Sequence, residues 1–159
     1  MRFEDLREQS GPRQEIFDGS LHVSPPVEVS HQIIVAELSA SLQQVVPGDL
    51  RVLTGVNVLR RSDTDRLLIP DIAVAHAAAT KRAVASGADS LRPEDIYLVV
   101  EVISPSSREI DLHLKNELYA QWKIGTYWVL DPETRELHEF GWRASAGTWL
   151  VDVDGIWPD

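Results

Sequence analysis

The chain contains no cysteine. Disulfides, thiolate zinc sites and cysteine nucleophiles are thereby excluded. It also lacks any apolar run approaching the roughly 18 residues of a membrane-spanning helix. Its first residues, MRFEDLREQSGPRQ, are charged where a secretion signal would be apolar. A soluble cytoplasmic protein is the expectation. Positive charge is scarce too: 15 Lys and Arg stand against 25 Asp and Glu, giving a net charge of −10 and a pI near 4.9. That balance argues against non-specific duplex binding through a broad basic face. It leaves room for a carboxylate-rich metal site, because such a site contributes negative charge itself. Arg60, Arg61, Arg66, Lys81, Arg82, Arg92 and Arg108 gather in the middle of the sequence. With 159 residues, 43% of them hydrophobic, the chain can bury the core of one domain.

The most informative stretch is IYLVVEVISPSSREIDLHLKNELYAQWKIGTYW, Ile96 to Trp128, which reads as a buried strand, a turn, a helix and another strand. Glu101 lies inside the apolar run YLVVEVI. A carboxylate there pays a desolvation penalty unless it has a proton, a cation or hydrogen-bond donors. On a helical wheel centred on Leu114, the apolar stripe Ile110, Leu114, Leu118, Tyr119 and Trp122 shares its arc with Asp111 and Lys115. Lys115 therefore points toward the sheet. Its simplest role is to snorkel past the stripe, with an Asp111 ion pair worth roughly a few tenths of a kcal/mol.

A second buried acid changes the balance. Asp71 lies in LLIPDIAVA, read as another core strand, on the face of Leu67, Ile69, Ala73 and Ala75. If the two strands are neighbours, Asp71 and Glu101 could hold a hard divalent cation, Mg²⁺ or Mn²⁺, with waters and a backbone carbonyl such as that of Val102.

Elsewhere, residues 1–14 read as a loose arm or short helix, and EIFDGSLHV as a hairpin turning at Asp-Gly. Ser30 is placed to cap a helix from about His31 to Val46, with Ile34, Leu38, Leu42 and Val45 inward and His31 on the same stripe. LRVLTGVNVLRR reads as one strand. Pro70 requires an edge position or one without a ladder bond. The stretch from His76 to Asp95 reads as loop with one or two helical turns, whose Lys81 and Arg82 could reach a substrate, as could Arg108. Ser106 and Glu109 form a capping box, so the nearby serines have a structural role. Ser104 as a nucleophile lacks a glycine-flanked elbow. Gly125 is placed to end the helix, and strands TYWVLD, RELHEF and GTWLVDV close the chain. The whole is a mixed sheet with packed helices, α/β (α+β). The core spans about 15–140 and the last strands lie in 141–159. Trp142, Trp149 and Trp157 exceed what a short flap needs, which fits either a homodimer face, if they are partly exposed, or packing onto the sheet.

IPDIAV, DIYLVVEVISPSS and the D-x-x-x-K of DLHLKNELYAQWKIGTYWVLDPETRELHEF resemble the Uma2 family, restriction-endonuclease-like proteins within the PD-(D/E)xK nuclease superfamily. EIFDGSLHVSPP followed by SHQIIVAEL is similar to that family's N-terminal part. The resemblance covers about residues 14–140. It implies an αβββαβ core, Asp71 as the PD aspartate and Glu101 as the acid of (D/E)xK. Ile103 stands where the superfamily usually has lysine, and Lys115 on the following helix would replace it. Asp111 would be an auxiliary residue, with Glu15, Asp18 and His31 as further candidates.

The activity implied is Mg²⁺-dependent hydrolysis of nucleic-acid phosphodiesters, most naturally DNA. The competing reading is a binding or assembly module on the same fold with a vestigial acidic site.

Overall fold

A computed structural model describes residues 12–141 and 147–150. Two sheets organise it. The larger has six strands in the order β10-β9-β8-β7-β6-β3, and the smaller has four in the order β2-β1-β5-β4. The strands are β1 (Gln14–Phe17), β2 (Ser20–Val23), β3 (Leu50–Thr54), β4 (Val58–Arg60), β5 (Asp63–Leu68), β6 (Ile72–His76), β7 (Ile96–Val102), β8 (Thr126–Asp131), β9 (Glu136–Phe140) and β10 (Gly147–Leu150). The helices are α1 (Val29–Val45), α2 (Ala77–Ser86) and α3 (Lys115–Gln121). β7 and β8 run parallel across the α3 crossover, while the other named pairs in the large sheet are antiparallel. Taken as α1, β3, β6, β7, α3 and β8, these elements are the expected αβββαβ core of a restriction-endonuclease-like fold, with a hairpin before it and an antiparallel extension after it.

Period-two alternation assigns the faces of the large sheet. Ile72, Val74, Leu98 and Val100 pack with Leu42 of α1, and Val102 packs with Ile34 of the same helix. Ala73, Ala75, Val99 and Ile103 turn the other way, toward Leu118, Tyr119 and Trp122, where the small sheet adds Phe17, Val58 and Leu68. Glu101 belongs to this second face by its place in β7.

Two stretches expected to be single strands are broken, and both breaks fall at one corner. LRVLTGVNVLRR divides into β3 and β4 around Gly55, whose φ of +60° is costly for any residue with a Cβ. LLIPDIAVA divides into β5 and β6 around Ile69, Pro70 and Asp71. The N–H of Gly55 donates to the carbonyl of Asp71 at 3.3 Å, tying the breaks together. One long hairpin thus folds over from the large sheet into the small one. Pro70 is accommodated by the break, since β6 itself is interior to its sheet.

Other differences are local. The helix α1 begins at Val29, two residues before the expected start, with Glu28 at its N-cap and the Ser30 hydroxyl donating to Glu28 Oε2. Val45, expected inward, is 75% exposed. α2 runs for ten residues where one or two turns were expected, and ends at Gly87 in the left-handed conformation. Before α3, Ile110–Leu114 forms a π-turn. The extra residue in this turn rotates the stripe: Leu114 is 37% exposed and Lys115 is buried. Ser107 starts the helical run in place of the Ser106–Glu109 box, its carbonyl accepting from Asp111 N at 2.8 Å. Lys123, with φ +58°, takes the left-handed position expected of Gly125. β10 realises the expected last strand, pairing antiparallel with β9. The side chains of Trp142, Trp149 and Trp157 lie outside the described residues.

Candidate functional site

The site begins with strand register. Ile72 pairs with Val100 in the antiparallel β6–β7 ladder, so one step further Asp71 faces Glu101. Asp71 N donates to Glu101 Oε2 at 3.2 Å, and Val102 N donates to Asp71 Oδ2 at 2.8 Å. The corner that breaks the strand therefore points both carboxylates into one place. Lys115, at the start of α3, reaches Glu101 Oε1 at 2.9 Å, Glu15 Oε1 at 3.2 Å and Asp111 Oδ1 at 3.6 Å. Glu15 comes from β1 and also accepts the N–H of Ile69 at 2.8 Å. From the other side of the sheet, His31 Nε2 lies 3.0 Å from the Val102 carbonyl and 3.3 Å from Asp71 Oδ2. Both neighbours are acceptors, so Nε2 carries the proton.

Asp71, Glu101, Lys115, Asp111, Glu15 and His31 are thus brought together, each no more than 8% exposed. Ile103, where the superfamily's usual lysine would stand, is buried in apolar core.

The remaining candidates lie elsewhere. Asp18 occupies the hairpin turn with φ +48° and pairs with Arg66, since a tight Asp-Gly turn needs a residue that tolerates the left-handed region. Lys81 and Arg82 are on α2, which follows the far end of β6 from Asp71, and Arg82 pairs with Asp95 at 3.3 Å. Arg108 is held by Asp131 at 2.7 Å. The Val102 carbonyl, expected to face a cation, is met by His31. The Ser104 hydroxyl is taken up by Ser107 at 3.1 Å within the helix-starting turn.

Sequence reasoning missed two members. Arg13, placed in the loose arm, sends Nη1 to Asp71 Oδ1 at 2.7 Å and Nη2 to Glu101 Oε2 at 3.4 Å. Tyr119, counted in the apolar stripe, donates its hydroxyl to Glu101 Oε1 at 3.1 Å. The signal for Arg13 was an imbalance: several buried acids with one recognised cation demand another. Tyr119 follows from the rule that a buried phenol finds a partner.

The surroundings drive Asp71 and Glu101 apart electrostatically. Burial would raise both. At Asp71 it is overcome by the His31 hydrogen bond and the charges of Arg13 and His31, which hold the carboxyl well below the usual range. At Glu101 burial prevails over Lys115 and Arg13, with Asp71 and Asp111 adding to it, and the pKa is pushed up to about 8. Burial likewise raises Asp111 against the opposing charge of Lys115. Burial works against the charges of Lys115 and Arg13, but the carboxylates around them outweigh it and raise both. His31 is raised in the same way, burial being outweighed by Asp71. Paired acids with divergent pKa values are a recurrent feature of functional sites.

Among the described residues, no group of three or more His, Cys, Asp or Glu side chains is arranged to hold a metal ion. Two carboxylates do converge on one shared cation, the Arg13 guanidinium. Two hard oxygen donors with the remaining positions left to water fit Mg²⁺ or Mn²⁺ better than a soft metal. Asp71 and Glu101 are therefore the residues that could hold such an ion, provided Arg13 withdraws.

A domain in which carboxylates from adjacent strands meet beside a helix-borne lysine is a nuclease-like fold. The family model Uma2, described as "Putative restriction endonuclease", matches residues 2–153, and the chain belongs to that family. A crystal structure from Anabaena variabilis ATCC 29413, described as a "putative nuclease belonging to DUF820", has the same fold. Its TM-score is 0.75 at 15% identity, covering 98% of this chain and 90% of that one. No curated protein matches the sequence. Among the described residues, no helix is long and apolar enough to cross a membrane.

Proposed function

We propose that this protein is a metal-dependent nuclease that hydrolyses phosphodiester bonds of nucleic acid, with DNA as substrate and Mg²⁺ or Mn²⁺ as cofactor. The observation that carries the reading is the convergence of Asp71 and Glu101, from neighbouring strands, on a single cation. Asp71 and Glu101 hold the metal. When bound, it would polarise the scissile phosphate and lower the pKa of a water. Lys115 keeps its charge among three carboxylates and offsets negative charge that builds on the phosphate or orients the attacking water. Tyr119 and Lys115 together fix Glu101 Oε1, and Val102 N and His31 fix Asp71 Oδ2. Membership in Uma2 supports the reaction class.

The test is cleavage of a nucleic-acid panel in Mg²⁺ and Mn²⁺ by wild type and by Asp71→Ala, Glu101→Ala and Lys115→Ala. Loss of at least about a hundredfold in rate is expected for each, as for removal of one group that stabilises transition-state charge. Variants that cut like wild type would sink the assignment. A second reading is a non-catalytic module on the same fold. The net charge of −10 favours it, as does the engagement of both oxygens of both carboxylates by protein donors. Such a module would show no Mn²⁺ binding heat that depends on Glu101.

A further inference from the structure

Four carboxylates, Glu15, Asp71, Glu101 and Asp111, are buried around two permanent cations. Those cations are seated very differently. Lys115 is 4% exposed and touches three of the acids. The Arg13 side chain is 25% exposed, with one short contact to Asp71 and longer ones of 3.4 Å to Glu101 and 3.8 Å to Glu15. Its Nε is buried without a partner among the described residues. A guanidinium carries five donors in a rigid planar fork, and this seat uses few of them well. The backbone is anchored separately, since the Arg13 carbonyl accepts Ser24 N at 3.0 Å and β1 begins at the next residue. The side chain can leave while the main chain stays.

Its exit is visible. A cleft of about 380 Å³ is lined by Arg13, His31, Gln32, Thr54, Gly55 and Asp71. A divalent ion shared by Asp71 and Glu101 would need Asp71 Oδ1 and Glu101 Oε2, the two oxygens that Arg13 holds. Occupancy is therefore exclusive.

We propose that Arg13 is the resident cation of the Asp71–Glu101 pair, that a divalent metal displaces it, and that the freed guanidinium takes a backbone phosphate of the nucleic acid in the adjoining cleft. The planar fork matches phosphate oxygens bidentately. The proposal rests on the metal-dependent nuclease reading above.

The experiment measures two affinities in opposite directions. Mn²⁺ is titrated calorimetrically into wild type, Arg13→Gln and Arg13→Lys. Binding of a fluorescently labelled DNA duplex is followed by anisotropy with Ca²⁺ in place of Mg²⁺. Arg13→Gln is expected to bind Mn²⁺ about tenfold more tightly than wild type and DNA about tenfold more weakly, the size of one charge-assisted contact. Arg13→Lys keeps the charge, so it guards against a glutamine variant that fails to fold. Its ammonium lacks the fork that spans both acids, and its Mn²⁺ affinity should fall between the other two. Arg13 variants that bind Mn²⁺ no more tightly than wild type, or that lose metal and DNA together, overturn the displacement. Tighter Mn²⁺ with unchanged DNA binding overturns the phosphate role. In those cases Mn²⁺ binding by wild type leaves the nuclease reading standing, whereas no Mn²⁺ binding in any of the three proteins overturns both.

Discussion

The two ends of β6 use the same residue types in opposite proportion. Near its C-terminal end, Asp95 and Glu94 are met by Arg60, Arg82 and Arg92, so cations outnumber acids. The Arg82 and Arg92 side chains there are each 62% exposed. Near its N-terminal end, four buried acids share Arg13, Lys115 and at most a protonated His31. The first arrangement is balanced by solvent as much as by partners and ties a loop in place. The second crowds acids where water cannot screen them, and burial there pushes the Glu101 pKa up to about 8.

The largest expected break in this comparison comes from removing a cation at each end. Lys115→Met leaves buried carboxylates uncompensated and should cost about 3–5 kcal/mol of unfolding free energy. Arg82→Ala should cost under about 1 kcal/mol, as for other exposed pairs. Urea denaturation of the two variants beside wild type measures the gap, and equal costs would erase the distinction between the ends.

A smaller effect should follow from pH. The Glu101 pKa rises from an ordinary 4.5 to about 8 on folding, so the folded state binds its proton more tightly than the unfolded chain. Its stabilising contribution is complete below about 4.5, and it is lost as pH rises through about 8. Asp71, lowered on folding, works in the opposite sense: its contribution is present above its ordinary 3.8 and lost as pH falls. Metal-free melting temperatures should therefore decline from pH 5 toward pH 8. Glu101→Gln, which carries the neutral form permanently, should flatten that decline.

The smallest effect sharpens the comparison inside the hairpin. Asp18→Asn preserves a residue suited to φ +48° and touches none of the cluster. It should shift stability by less than about 1 kcal/mol and leave Mn²⁺ binding unchanged. Glu15→Gln, three residues earlier in the chain, should alter that binding because Glu15 shares Lys115 with Glu101.

Much of this was legible because buried charge is conspicuous in an apolar strand. Glu101 in YLVVEVI and Asp71 in LLIPDIAVA declare themselves, and the helical wheel brought Lys115 inward although it took no account of the π-turn. Hydrophobic periodicity does not reveal where a strand leaves one sheet for another, which is why the breaks at Gly55 and Asp71 were read through. The helix α2 was underread because its inward side is made of small residues such as Ala79 and Ala83 rather than large apolar ones. Arg13 gave no local signal at all. A charged residue in a polar arm looks solvated, and only the count of buried acids argues otherwise.

The folded-over corner has a mechanical consequence. Arg13 and Glu15 arrive with the small sheet, Asp71 and Glu101 with the large one, and Gly55 and Asp71 form the crease between them. The ionic cluster therefore works as a seam stitched across two panels. A change in any one of those charges is felt at the crease where the two panels meet.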